Sequence, residues 1–411
     1  MNILYISYDG MTDNLGQSQV IPYLAGLSKQ GFNITIMSFE KNDNFQNREN
    51  VIQNLLKKNN INWHPLKYTP SPPVLSTIKD IRTMIKESKN LYKKQHFSIV
   101  HCRSYIAAFA GLHLKQKYGV KFLFDMRGFW ADERVEGNIW NLKNPVFNFV
   151  YKYFKNKEKQ FLSSADYVVS LTENGKKTMQ SWNYLKTTDF PVEVIPCCAD
   201  FNHFDYSEEE QKQKTKELKK ELKISDSDFI LSYLGSIGTW YMLDEMLDFF
   251  KVLLTQKPNA KFLFITAESS KYIFEKATKK SIDISKIIIK KSNREDVPAY
   301  IALSSVSIFF IKPVFSKKAS SPTKMAEIMG MGIPLICNSN VGDVDTIINN
   351  TNAGVLINKF TEKEYLTAIE KMDKLNTSPE QIRQAAIKYF SLEKGVTKYA
   401  GIYKKIRDVF T

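Results

Sequence analysis

The feature that most constrains this chain is a strand, glycine loop and helix unit that occurs twice. MNILYISYDGMTDNLGQSQVIPYLAGL opens the chain, and FILSYLGSIGTWYMLDEMLDFFKVL restarts the same rhythm at Phe229. In the first series Asn2 to Ser7 and Asn33 to Ser38 are β-rich runs flanking a helix expected from about Gln17 to Gln30. FSIVHCRSY, KFLFDMRGFW, SADYVVS and VEVIPCC continue it as strands, and KFLFITA, KIIIKK, VSIFFIKP, IPLICN and GVLINK continue the second series. Strands alternating with helices specify an α/β architecture, and the repetition specifies two doubly wound halves. A length of 411 residues also exceeds what one core organises. The expected domains are 1–205 and 206–392, with 393–411 an amphipathic helix packing across to the first. Residues 40–60 read as a polar helix, TPSPPV (69–74) as a proline-rich loop, and the charged stretch 207–228 as a connection between domains.

A hydrophobic fraction of 43% argues against wholesale disorder. No uninterrupted apolar run reaches the roughly 18 residues of a spanning helix, and the N-terminal run, lacking a basic segment before it, reads as a first strand. Cys102, Cys197, Cys198 and Cys337 lack paired metal spacing, which suits a reducing cytoplasm. The formal charge of +15 suits anionic partners such as nucleotide phosphates, anionic lipid or nucleic acid. Dispersed lysines and the lack of an aromatic–basic RNA motif disfavour nucleic acid.

The densest chemistry lies in SSPTKMAEIMGMGIPLICN, residues 320–338. It reads as a short helix with Ser321 as cap and Pro322 in its first turn, ended by Gly330 and Gly332 and followed by a strand from Ile333 to Cys337. Lys324 and Glu327, three apart, share a face, and such a pair beside a helix N-terminus can hold a phosphate and a sugar hydroxyl. The plain alternative is a surface ion pair worth a few tenths of a kcal/mol. In the first half Gly16 ends a loop where backbone N–H groups can approach a ligand, though the loop is not GxGxxG. His101, Arg103 and Ser104, and then Asp125 and Arg127, fall at carboxyl ends of strands, where ligands of open sheets collect. The two arginines form either an anion site or ion pairs with Asp125, Asp132 or Glu133. Residues 139–162 interleave aromatics and lysines at helical spacing, either as a core helix or with a face for a membrane. DSD (226–228) and DVD (343–345) look like turn and cap residues rather than metal ligands.

Together LGQSQVIPYLAGL, DMRGFWADE, DYVVSLTENG, VIPCCADFNHF, LGSIGTWY and SSPTKMAEIMGMGIPLI resemble the retaining glycosyltransferases of family 4, over nearly the whole chain. The resemblance implies the GT-B fold, two Rossmann-like domains facing a central cleft, with a nucleoside-diphosphate sugar bound mainly by the second and the acceptor by the first. It places Glu327 on the ribose hydroxyls and Gly235 to Thr239 beside the diphosphate. The donor set is then Gly16, Gly235, Ser236, Gly238, Thr239, Ser321, Thr323, Lys324 and Glu327, and the acceptor side Gln17, Arg103, Asp125 and Arg127. Two departures stand out: Ala319 occupies the place of a second family glutamate, and the loop from Ser236 to Tyr241 lacks the usual arginine and lysine. Lys324, with Arg127 or Arg103, is the expected replacement for neutralising the leaving diphosphate, which makes Lys324 and Arg127 the catalytic candidates. The implied reaction is retaining and metal-independent, needs no cofactor, and serves a lipid-linked or growing saccharide of a bacterial-type surface polysaccharide or glycoconjugate. The implied location is cytoplasmic, at the inner face of the cell membrane, in peripheral contact with anionic lipid through Tyr151 to Phe161. An epimerase of the same fold is the alternative enzyme, disfavoured by only five histidines.

Overall fold

A computed structural model describes residues 1–185, 190–205 and 209–408. The chain divides into two compact units. The first comprises residues 1–198, 318–320 and the stretch from Leu392 onward; the second comprises 199–317 and 321–391. The expected boundary at 205/206 borders residues 206–208, which lie outside the described ones, as do 409–411 of the expected C-terminal helix.

In the first unit β1 (Asn2–Ser7), β2 (Asn33–Glu40), β3 (Ile61–Lys67), β4 (Ile99–Arg103), β5 (Lys121–Asp125), β6 (Tyr167–Ser170) and β7 (Val192–Val194) form one parallel sheet. Its order is β3-β2-β1-β4-β5-β6-β7. Ile3 pairs with Ile34 on one side and Ile99 on the other, so the winding reverses at β1. Such a switch point opens ligand space beyond the carboxyl ends of the strands on either side. Strand β3, INWHPLK, was not anticipated. It lies at the sheet edge, half-exposed and carrying a proline, so it has no continuous apolar run.

The helix expected from Gln17 to Gln30 is two helices, Asn14–Gln19 and Ile21–Lys29. Val20 between them is non-helical, and Pro22, which lacks an N–H, suits the first turn of the second. The helix Leu392–Asp408 buries Val396, Tyr399, Ile402, Tyr403 and Ile406 in the apolar cluster that holds Ile3, Tyr5, Ile34 and Leu123. It completes the first unit's core.

The second unit holds β8 (Phe229–Leu234), β9 (Ala260–Ile265), β10 (Ile287–Lys290), β11 (Val306–Phe309), β12 (Leu335–Asn338) and β13 (Gly354–Ile357), parallel in the order β10-β9-β8-β11-β12-β13. Tyr233, Phe249, Phe250 and Phe262 are fully buried in its core, and each such side chain contributes roughly 1.5–3 kcal/mol. The Asn338 side chain bonds both the N–H and the carbonyl of Ile311, tying the chain after β11 to the end of β12. The charged stretch expected as a connection is the helix Glu209–Glu221, part of this unit. Thr215 and Leu218 are buried on it, and Lys214 pairs with Asp296.

Candidate active site

In the second unit the helix Thr323–Gly330 follows a short extended approach. Its N-cap residue is Pro322, one position after the expected cap Ser321. The helix ends at Gly330, and Gly332 follows with φ +72, a left-handed conformation natural to glycine. The strand begins at Leu335 rather than Ile333.

Lys324 and Glu327 do not form a surface ion pair: both are buried, each 6% exposed. The Lys324 Nζ donates to the Tyr233 hydroxyl at 2.9 Å. It lies 3.5 Å from the centre of the Tyr241 ring and 4.1 Å from that of Tyr233. Electron-rich ring faces attract an ammonium group but do not neutralise it. Burial therefore holds its pKa well below the ordinary lysine value, opposed by the charge of Glu327. The same Nζ reaches the glycine loop, since a Cβ built on Gly235 would stand 3.3 Å from it. Gly235 has φ +108, a second reason for glycine there. Tyr233 passes a hydrogen bond onward to the Ser236 carbonyl, so one tyrosine links cation and loop. Ser236, Gly238 and Thr239 are exposed at the loop tip, and Ser321 and Thr323 are half-buried.

Glu327 faces a partner that sequence reading missed. Arg294 donates from Nη1 to Oε1 at 3.0 Å. Burial raises the Glu327 carboxyl above its ordinary pKa, and Arg294 works against that rise. Arg294 is itself placed by His203, whose Nε2 contacts its carbonyl at 3.1 Å, and by the Phe204 ring beneath its guanidinium. Its signal in the sequence was slight: one arginine in the turn after β10.

In the first unit Gly16 lies in the first helical turn rather than at the expected loop end. It is buried inside a helix, and a Cβ there would meet the Gly10 carbonyl at 2.2 Å. Glycine is required so that the helix can press on its own preceding loop. That loop is pinned by Glu40, whose carboxylate accepts the N–H groups of Met11 at 2.7 Å and Thr12 at 3.1 Å, and the Ser38 hydroxyl at 2.6 Å. Gln17 adds a bond from Nε2 to the Thr12 carbonyl at 3.1 Å.

Arg103, Asp125 and Arg127 do gather, at the ends of β4 and β5. Arg127 adopts φ +60, a strained conformation for a non-glycine residue. Its Nη1 lies 3.8 Å from Asp125 Oδ2, and Nη2 donates to the Cys197 sulfur at 3.3 Å. Arg103 pairs through Nε with Asp9 at 3.3 Å. Burial works to raise the Asp125 carboxyl, yet Arg127, His101 and Arg103 together outweigh it and hold it below the ordinary value. Tyr399 donates to Asp125 at 3.0 Å, and the Tyr403 hydroxyl contacts His101 Nδ1 at 2.7 Å. Burial keeps the His101 pKa below normal. Buried donors without a protein partner remain at Arg103 Nη1 and Arg127 Nε, and a buried acceptor at Asp125 Oδ1. Ala319, in the place of the second family glutamate, is 3% exposed and packs in this unit's apolar cluster.

Both acidic triplets are engaged locally. Asp226 pairs with Lys219, Asp228 accepts the Ser225 N–H at 2.8 Å, and Asp345 accepts the Asn340 N–H at 2.9 Å. No helix among the described residues is long and apolar enough to cross a membrane.

Two parallel doubly wound units, each with helices on its sheet, match the α/β architecture of the GT-B fold. Residues 214–389 match the family model of glycosyl transferases group 1, and residues 16–203 match that of glycosyltransferase family 4. The chain belongs to this glycosyltransferase group, as an enzyme of the hexosyltransferase type. Among solved structures it is similar to a sucrose-phosphate synthase from Thermosynechococcus elongatus, with TM-score 0.76 and 13% identity over 100% of both chains. A glycosyltransferase from Rickettsia africae superposes with TM-score 0.70 and 17% identity over 98% of each chain. Anabaena Alr3699/HepE in complex with UDP-glucose gives TM-score 0.68 and 13% identity over 98% of this chain and 100% of that one. A search of the curated proteins returns no match.

Proposed function

We propose that the enzyme transfers a sugar from a nucleoside diphosphate to a lipid-linked or growing saccharide, with retention of anomeric configuration and without a metal ion. The observation that carries this reading is the Lys324 Nζ, buried beside Gly235 and, among the described residues, bonded to the Tyr233 hydroxyl with no carboxylate bonded to it. A bound phosphate would favour its charged form. In the transition state negative charge grows on the departing diphosphate, where a preorganised cation and backbone N–H groups act most strongly. One helical turn further, Glu327 can accept the two ribose hydroxyls, with Arg294 holding the carboxylate in place meanwhile. The solved complex of Anabaena Alr3699/HepE with UDP-glucose supports a nucleotide-sugar donor.

On the acceptor side, Arg103, Asp125 and Arg127 offer donors and an acceptor together, a combination suited to hydroxyl groups, each of which gives and takes a hydrogen bond. Retention follows if the donor phosphate itself accepts the acceptor's proton, so no protein nucleophile is assigned. A bacterial-type surface polysaccharide or glycoconjugate made at the inner membrane face is the proposed context; similarity to WaaG, a glycosyltransferase involved in lipopolysaccharide biosynthesis, supports it.

The test is a thermal-shift screen of nucleoside diphosphates, followed by transfer assays with the preferred donor and extracted lipid acceptors. Binding of one base followed by sugar transfer with the donor's anomeric configuration is the expected result. Conversion of the sugar without any acceptor would instead identify an epimerase.

A further inference from the structure

The helix Pro145–Ser164 has two distinct sides. Val150, Phe154, Phe161 and Leu162 are buried in the first unit's core. Opposite them Val146, Phe149 and Tyr153 are 58%, 71% and 42% exposed, and Ile139 ahead of the helix is 47% exposed. Their positions at i, i+3 and i+7 place the three helical residues on one stripe. Lys143, Lys152 and Lys159 are exposed in the same segment. Its one carboxylate, Glu158, is fully buried and bonded to Tyr105 and Lys155. Asp132, on the preceding helix, is held by Tyr151 at 2.8 Å and Lys155 at 2.9 Å. The exposed side of residues 138–160 thus carries apolar groups and cations with no exposed carboxylate among them.

The exposed apolar groups occupy only part of the expected stretch 139–162. Within Tyr151 to Phe161, Phe154 and Phe161 are core residues and the Tyr151 hydroxyl is bonded to Asp132. The apolar exposure lies instead in the first half of the helix and in the turn before it. We propose that Ile139, Val146, Phe149 and Tyr153, flanked by Lys143 and Lys152, form a docking surface for an anionic lipid bilayer. The physical basis is charge complementarity combined with apolar and aromatic groups that partition into the headgroup boundary. A protein partner would need matching apolar surface, whereas lysines bordering an aromatic stripe suit lipid phosphates over acyl chains. This surface does not depend on the sugar-transfer reading.

The experiment is cosedimentation of the whole chain with vesicles of phosphatidylcholine alone and of phosphatidylcholine containing phosphatidylglycerol. Binding to the anionic vesicles, weakened by added salt, is the expected result. The double variant Val146→Ser, Phe149→Ser should lower the vesicle partition coefficient about tenfold or more. Both positions are exposed, so its melting temperature and nucleoside-diphosphate binding should be unchanged. In Phe149→Trp the indole emission should shift to the blue on anionic vesicles. Equal binding to neutral and anionic vesicles, no binding to either, or undiminished binding by the double variant would overturn the proposal. Self-association abolished by the double variant, without vesicle binding, would also overturn it and make the face a contact between copies. Loss of vesicle binding with donor binding intact would leave the glycosyltransferase reading standing.

Discussion

The two units bury charge in opposite ways. At the ends of β4 and β5 in the first unit the charges are paired: Arg127 with Asp125, and Arg103 with Asp9. Tyrosines from the C-terminal helix bond Asp125 Oδ2 and His101 Nδ1, while Asp125 Oδ1 keeps no protein partner. In the second unit Lys324 is buried against two tyrosine rings and one hydroxyl. A paired cluster is suited to neutral hydroxyls. An uncompensated ammonium is suited to a phosphate, because a charge held away from water interacts more strongly with whatever anion arrives. The difference motivates the proposed division, with the acceptor at the first unit and the nucleotide-sugar donor at the second.

The comparison can be broken at several points. The largest expected effect is that of Lys324→Ala, which should lower kcat by about 10²–10³ with a smaller change in donor affinity, because the charge it meets grows in the transition state. Steady-state kinetics with the preferred donor checks it, and near-normal turnover would place the cation elsewhere. Next, Glu327→Ala should raise the donor Kd about 10- to 100-fold, the worth of a charge-assisted contact. Titration calorimetry measures this, and unchanged binding would reduce Glu327 to a structural partner of Arg294. In the first unit Arg127→Ala should lower kcat/KM for the acceptor while leaving the donor Kd alone. A change in donor Kd would contradict the division of roles.

Stability offers a subtler contrast. Lys324→Met removes a buried charge with no bonded carboxylate, so it should abolish most activity yet raise the melting temperature by about 2–4 °C. The sign follows from linkage. The Lys324 pKa is depressed in the folded state, so the unfolded chain binds more protons between the folded value and 10.5, and stability rises with pH across that window. Melting curves of Lys324→Met should lack this rise. The smallest expected effect is that of EDTA, which should leave turnover unchanged.

Much of the fold was legible in the sequence because parallel strands buried on both faces read as apolar runs. All six strands of the second unit and six of the first were visible that way. The edge strand Ile61–Lys67 was not, since a half-exposed strand with a proline lacks the signal. The motif around Glu327 was legible too, through spacing and resemblance. Its partner Arg294 was not, because thirty-three positions separate them and pairing at that range is decided only by packing. Gly16 shows the converse limit. Sequence marks where a glycine stands, and the structure shows that here it makes room for the chain's own backbone.

The sequence by itself determined two doubly wound α/β units, the glycosyltransferase resemblance, and the presence of Lys324 in a chain whose glycine loop lacks the usual cations. Tertiary structure decided the surroundings of that lysine. Only packing brings Nζ beside Gly235 and between Tyr233 and Tyr241, while Glu327 pairs with Arg294. Spacing along a helix fixes which residues share a face, but whether that face meets water, a carboxylate or an aromatic ring depends on segments distant in the chain. That choice separates a surface ion pair from a buried lysine set against aromatic rings.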